Sequence, residues 1–256
     1  MGMPVRIVLY ARDEAAAIRA ATAAFARIAS LDRAMSDYRP DSEIRDLSRL
    51  SPAPVIVSQD VFRVVARAIA IARDTDGAFD PTVAPLVALW RDARTTGRLP
   101  ARAAIDAARA RTGWRRVELD AARSSIRLPD PGMRIDLGGI AVPETTSEVV
   151  LPVGTQNDLR GRFVYIANAA LATSGPAAQF VQIDGVRYSH VVDPRTGWAL
   201  TTSVTAHVIA ADGATADALA TAATVAGARG LDAIRARFPE ARIYLVESVG
   251  GTAAVR

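Results

Sequence analysis

At 256 residues, 50% of them hydrophobic and 23% charged, the chain can bury a substantial core, and wholesale disorder is excluded. The absence of Cys excludes a disulfide framework, a thiolate metal site, a cysteine nucleophile and a lipid-modified cysteine. The net charge of +4 comes from 31 basic and 27 acidic residues; every basic one is Arg, dispersed among acidic neighbours as in Glu43-Ile44-Arg45-Asp46, which argues against nucleic-acid binding and rules out a lysine Schiff base.

Alternation over Pro4 to Tyr10 predicts a first strand, with no charged-then-apolar leader before it. That start is expected of a cytoplasmic chain, or of an exported one written without its leader. Asp13 to about Ala34 predicts a long Ala-rich helix. After the polar loop Ser36-Asp37-Tyr38-Arg39-Pro40, Asp41 or Ser42 can cap a short helix ending near Leu50. Pro54 to Val57 predicts a strand, and Ser58 caps a helix to Asp74, stopped near Gly77. The loop Gly77 to Thr82 leads into a helix through Trp90, and Ala101 to Arg111 predicts another. Short strands are expected around Val117, Ile126 and Ile135. Val142 to Gly161 holds Pro143, Pro152 and Gly154 and follows no period, so it reads as loop. Phe163 to Ile166 resumes regular structure. Phe180 to Ile183 and Val186 to Val192 predict a hairpin turned at Asp184-Gly185. A strand over Val204 to Ala210, a helix from about Thr215, a helix over Leu231 to Phe238 and a strand over Ile243 to Glu247 complete the series. Strands and helices mix without regular alternation, which favours an α+β fold. No apolar run approaches the roughly 20 residues of a bilayer-crossing helix, so no transmembrane segment is expected.

Several residues can carry chemistry. His190 titrates near neutrality and can act as a general base, or it can be a strand-end histidine bonded to a carboxylate. Its neighbours Asp193-Pro194-Arg195-Thr196-Gly197 form a turn. His207, in an alternating strand, reads as structural. Asp217 and Thr221 lie four apart on an expected helix, so both oxygens share a face. With a backbone carbonyl they suit a hard cation such as Mg2+; alternatively Asp217 serves the helix start. In Asp136-Leu137-Gly138-Gly139-Ile140-Ala141 the paired glycines permit close approach of a phosphate or cation, or make a plain turn. Ala172-Thr173-Ser174-Gly175 reads as a small-residue turn whose hydroxyls can bond phosphate, with Ser174 a nucleophile in principle. Tyr38 and Phe79 are loop aromatics that can stack on a flat ligand or cover the core. Asp80 can cap the next helix or bind a ligand.

Taken in order, these segments resemble the FAD:protein FMN transferases, the ApbE family. The match runs through Met1-Gly2-Met3-Pro4-Val5, Met35 to Glu43, Gly77 to Thr82, Asp136 to Ala141, Ala172 to Gly175, Ser189 to Gly197 and Ala216 to Thr221. The resemblance implies a compact fold of mixed, largely antiparallel sheets flanked by helices, as one domain over residues 1–256. It implies Mg2+-dependent transfer of FMN from FAD to a Thr or Ser hydroxyl of a target flavoprotein, releasing AMP. By the same resemblance Met1, Tyr38, Ala78, Phe79, Asp80, Asp136 and Val192 contact FAD. Gly139, Asp217 and Thr221 hold the cation, His190 assists deprotonation of the target hydroxyl, and Ser174 lies beside the phosphates. Family members are often exported to the periplasmic face of the inner membrane. In the family, Asp-Leu-Gly-Gly-Ile-Ala usually continues with Lys-Gly, a helix and a strand ending in a Gly-Gly-Asp turn. Here Val142-Pro143-Glu144 follows Ala141, which makes 142–162 a divergent segment. Two further readings therefore stand beside transfer: an FAD pyrophosphatase giving FMN and AMP, and a catalytically impaired FAD-binding protein.

Overall fold

The computed structural model describes residues 5–141, 149–152, 163–166, 168–176, 179–249 and 252–255. Three helices at the start of the chain begin at side-chain caps, which occupy N–H groups that a first helical turn leaves without partners. Asp13 accepts from the Ala16 N–H at 2.7 Å to open α1 (Glu14–Met35). Ser42 caps α2 (Glu43–Leu50) and Ser58 caps α3 (Gln59–Asp74). Along α3 the buried Val61, Val65, Ala68, Ile71 and Ala72 recur at helical spacing and form its core stripe. α4 (Ala84–Thr96) runs beyond the expected end at Trp90 to Gly97, whose φ of 66° closes it, and α5 (Arg102–Ala110) follows.

All strand pairings are antiparallel. β1 (Val55–Ile56), β2 (Glu118–Asp120) and β3 (Ser125–Arg127) form a small sheet in the order β1-β3-β2. β4 (Val149–Pro152) pairs with β5 (Phe163–Ile166). β6 (Ala170–Ser174), β9 (Val204–Ala210), β10 (Arg242–Val249) and β11 (Thr252–Val255) form the largest sheet, in the order β11-β10-β9-β6. β7 (Phe180–Ile183) and β8 (Val186–Ser189) make the expected hairpin. Asp184 (φ 50°) and Gly185 (φ 79°) both take the positive φ that such a two-residue turn needs. α6 (Gly213–Arg237) joins the two expected helices across a kink at Gly227 (φ 58°, ψ −166°). Its buried alanines, among them Ala216, Ala220 and Ala223, let it lie close against β6, β9 and β10.

Four expectations are corrected. Residues 5–10 alternate in exposure but form no strand, because they pair with no neighbour among the described residues. Around Ile135 the alternate burial of Met133, Ile135 and Leu137 mimics a strand; the anchor is instead one bond, from Asp136 N–H to the Pro81 carbonyl at 2.8 Å. Ala172 to Ser174 belong to β6, not to a turn. Their weak intrinsic β preference is overridden by pairing with β9, Ala172 opposite Val208 and Ser174 opposite Ala206. Within Val142 to Gly161, read as loop, residues 149–152 are strand β4; residues 142–148 and 153–161 lie outside the described residues. Among the described residues no helix is long and apolar enough to cross a membrane.

The larger apolar cluster joins α3, α6, the central strands and residues 133–140. A smaller one joins α4, α5 and the hairpin around Trp90, whose ring stacks on Tyr188 at 5.2 Å. Val191 packs in the first cluster and Val192 in the second, so the segment that follows His190 is anchored in both. The turn after it is rigid. Asp193 accepts two guanidinium bonds from Arg195, and the Gly197 carbonyl accepts from Trp90 Nε1 at 3.0 Å. Gly197 has φ 78°, and a Cβ there would stand 2.7 Å from Ile105 Cγ2 and 2.8 Å from Arg109 Cδ. Gly197→Ala is therefore expected to cost at least about 2 kcal/mol, from the left-handed backbone plus overpacking. Urea unfolding of the two proteins measures it; an unchanged midpoint contradicts it.

Candidate active site

Segments far apart in the chain meet around a cavity of about 380 Å³. The loop after α1 supplies Asp37 and Tyr38; the 78–80 loop supplies Ala78, Phe79 and Asp80. Asp136 and Gly139 come from the loop behind Pro81, Ser174 from the end of β6, His190 and Val192 from the strand exit, and Asp217 and Thr221 from α6. Every candidate residue from the sequence lines this one cavity except Met1, which lies outside the described residues.

One corner is built of oxygens. The cap of α6 is Asp212, which accepts from the Thr215 N–H at 2.7 Å. Asp217 lies beyond the first turn of α6, so it does not serve the helix start as the sequence also allowed. It lies one turn before Thr221 on the same face. Burial pushes the Asp217 carboxyl up to about 6, because loss of water disfavours the charged form. A Cβ on Gly139 would stand 3.3 Å from the Thr221 hydroxyl and 3.5 Å from Phe79 Cε2, so glycine lets the backbone approach without displacing either. Two residues earlier Asp136 Oδ1 folds back to accept from the Gly138 N–H at 2.8 Å, tightening the loop.

His190 stands opposite a fixed partner. Its Nδ1 lies 3.1 Å from the Gln179 carbonyl, which also accepts from the His190 N–H at 3.0 Å. A carbonyl only accepts, so Nδ1 carries the ring proton, and Nε2 of the neutral ring keeps its lone pair. The partner is a main-chain oxygen rather than the carboxylate that the sequence allowed. Burial lowers the imidazole pKa, and the nearby Arg94 charge adds to the effect, so the neutral form is favoured. His207 is paired across the sheet with Thr173, Nδ1 to Oγ1 at 2.9 Å.

The remaining candidates divide into walls and supports. Phe79 and Ala78 are buried, and Phe79 belongs to the larger core cluster. Tyr38 is 67% exposed, a flat ring at the cavity edge. Asp80 accepts from the Thr82 hydroxyl at 2.6 Å, the Thr82 N–H at 2.8 Å and the Trp114 N–H at 3.2 Å. These bonds hold the loop in place, and burial nonetheless raises the Asp80 pKa. Its side chain does not cap α4, whose N-cap is Val83. Ser174 is buried, and its carbonyl accepts from Thr224 Oγ1 at 3.0 Å, tying β6 to α6. Asp136 is held above its ordinary pKa by burial and by the neighbouring Asp37 charge.

Sequence reasoning did not single out Arg91, Arg94 or Gln179, all of which line the cavity. A signal for the arginines was present. Val83, Val87, Arg91 and Arg94 fall on one helical stripe, two cations ending an apolar row. Gln179 acts through its main-chain oxygen, which no side-chain pattern reveals.

A fold of mixed helices and antiparallel sheets thus brings carboxylate and hydroxyl oxygens and one imidazole to a single cavity. The chain belongs to the ApbE family, whose family model matches residues 1–150 and 151–245. The break between the two matches falls inside the divergent segment. Among curated relatives, the FAD:protein FMN transferase of Klebsiella pneumoniae (strain 342) is 30% identical over 231 residues, 78% of this chain and 72% of the relative. That of Treponema pallidum (strain Nichols) is 28% identical over 290 residues, 93% of this chain and 80% of the relative. Among solved structures, the ApbE protein from Thermotoga maritima MSB8 has a TM-score of 0.79 at 26% identity, covering 93% of this chain and 88% of that one. The flavin transferase ApbE from Vibrio cholerae has a TM-score of 0.73 at 25% identity, covering 93% and 88%.

Proposed function

We propose that this protein transfers the FMN half of FAD to a Ser or Thr hydroxyl of a protein acceptor, releasing AMP. The observation that carries this reading is the meeting, in one cavity, of a buried carboxylate without a hydrogen-bond partner among the described residues and an imidazole with its Nε2 lone pair held in reserve. The names of the curated relatives support the same activity.

The donor set fits a hard divalent cation such as Mg2+. Carboxylate, hydroxyl and carbonyl oxygens are the ligands such ions take, and Asp217, Thr221 and the Gly139 carbonyl would hold it. Among the described residues no group of three or more carboxylates and imidazoles converges, so most of its remaining ligands would be water and substrate phosphate. The bound ion would offset phosphate charge and polarise the phosphorus under attack. His190 Nε2 takes the proton of the acceptor hydroxyl as its oxygen bonds to the FMN phosphorus; the bond to the AMP phosphate breaks and AMP leaves. Phe79 and Val192 shield this exchange from water, while Tyr38 offers its face to one flat ring of FAD. Ser174, at the end of β6, sits where a phosphate oxygen can be bonded.

Incubation with FAD, Mg2+ and an acceptor peptide tests the reading. Covalent flavin fluorescence on the peptide is the expected result. Free FMN without labelled peptide makes the protein a pyrophosphatase, and intact FAD bound to the protein makes it a binding protein.

A further inference from the structure

Arg91 is half-buried in the cavity wall and reaches three groups on two other segments. Its Nη1 donates to Asp37 Oδ2 at 2.6 Å, and its Nη2 lies 3.5 Å from Asp136 Oδ2. Its guanidinium carbon sits 4.7 Å from the centre of the Tyr38 ring, within cation–π range. The Asp37 and Asp136 side chains are only 10% and 11% exposed. Burial and the Asp37 charge raise the Asp136 carboxyl, and a guanidinium fork placed between the two side chains opposes that push. The other oxygen of Asp136 shapes the loop leading to Gly139. A single side chain of α4 thus ties together the aromatic edge of the cavity and the acidic loop at its floor.

We propose that Arg91 is a positioning residue for FAD: by clamping Asp37 to Asp136 and backing the Tyr38 ring, it fixes the wall against which a flat ring of FAD packs. The proposal rests on the FAD reading above. The charged and titratable groups facing Asp136 are Asp37, Arg91 and Arg134, with Arg45 beside Arg134 and Tyr38 beside Arg91. Removing the Arg91 charge takes away a cation that opposes the upward push of burial and of Asp37 on the Asp136 carboxyl, so Asp136 retains its proton to higher pH. The wall then loosens as pH falls.

Titration of FAD against the full chain from acid to alkaline pH, followed by flavin fluorescence, tests this in the parent protein, Arg91→Gln and Arg91→Lys. Arg91→Gln is expected to bind FAD roughly tenfold more weakly at neutral pH, the loss of one charged hydrogen bond, with its acidic limb displaced to higher pH. Arg91→Lys keeps a cation and is expected to keep the parent limb. In the double variant Asp37→Asn/Arg91→Gln the repulsion is gone, so the limb should return towards the parent value. Arg91→Gln with the parent pH profile, whatever its affinity, overturns the proposal, because a packing role weakens binding equally at all pH. If Arg91→Gln does not fold, the double variant decides: a folded protein with the parent limb supports the clamp, and failure to fold or a displaced limb overturns it. If the parent protein binds no FAD at any pH, the FAD reading fails instead. Carboxyl 13C titration of Asp37 and Asp136 in the ligand-free proteins then still decides the clamp, which an unshifted titration in Arg91→Gln overturns.

Discussion

Asp217→Ala is expected to reduce Mg2+-dependent flavin transfer by roughly a thousandfold or more, the rate equivalent of several kcal/mol of lost transition-state stabilisation, while the fold persists. Persistence follows from the environment. The carboxylate is pushed up to about 6 by burial alone, so its charged form costs folding energy in the metal-free protein. Alanine, the best helix former, removes that cost. The pH dependence has a definite sign. Asp217 binds its proton more tightly folded, at about 6, than at the ordinary 3.8. Between those values the unfolded state holds fewer protons, so metal-free stability falls as pH rises through the window. Melting temperatures should show that decline in the parent protein and less of it in Asp217→Ala. Added Mg2+ should raise the melting temperature above pH 6 in the parent only. Full Mg2+-dependent turnover in the variant would remove Asp217 from the cation site.

His190→Ala is expected to cut transfer by about 10²- to 10⁴-fold, the usual contribution of a general base, with FAD affinity near that of the parent. The split follows from the proposed role, in which Nε2 would act on the incoming hydroxyl and not on the bound dinucleotide. Burial lowers the His190 pKa, so the acidic limb of the transfer rate should fall below the ordinary imidazole value near 6.5. Stopped-flow transfer rates and equilibrium FAD titrations of both proteins separate the two effects. A loss of affinity matching the loss of rate would make His190 a ligand or a structural residue.

Much of this site could be read before any fold was known, and the reasons are local. Asp217 and Thr221 announce a shared face by helical spacing, and Gly138-Gly139 announces a close approach. Asp13, Ser42 and Ser58 mark helix starts because capping chemistry is contained within a few residues. What stayed hidden depends on partners distant in sequence. Residues 170–174 become a strand only because β9 lies beside them. Residues 5–10 have a strand's alternation and no ladder among the described residues. Arg91 is an ordinary helical arginine until Asp37 and Asp136 arrive on either side. The tautomer of His190 is set by a main-chain oxygen of residue 179, which carries no side-chain signature.

The cavity wall also bears on how the protein reaches its folded state. Asp37 and Thr221 line the same space from nearly opposite ends of the chain, so no early segment can assemble it alone. The loop closures involved are long, and their entropy is lost before the contacts that repay it exist. A molecule that fills the site therefore recognises the assembled chain rather than any one segment. Such a molecule acts as a folding aid: at one hundred times its dissociation constant it deepens the folded well by about 2.7 kcal/mol. On the proposed function that molecule is FAD, so added FAD is expected to raise the melting temperature of the folded chain as well as to feed the reaction.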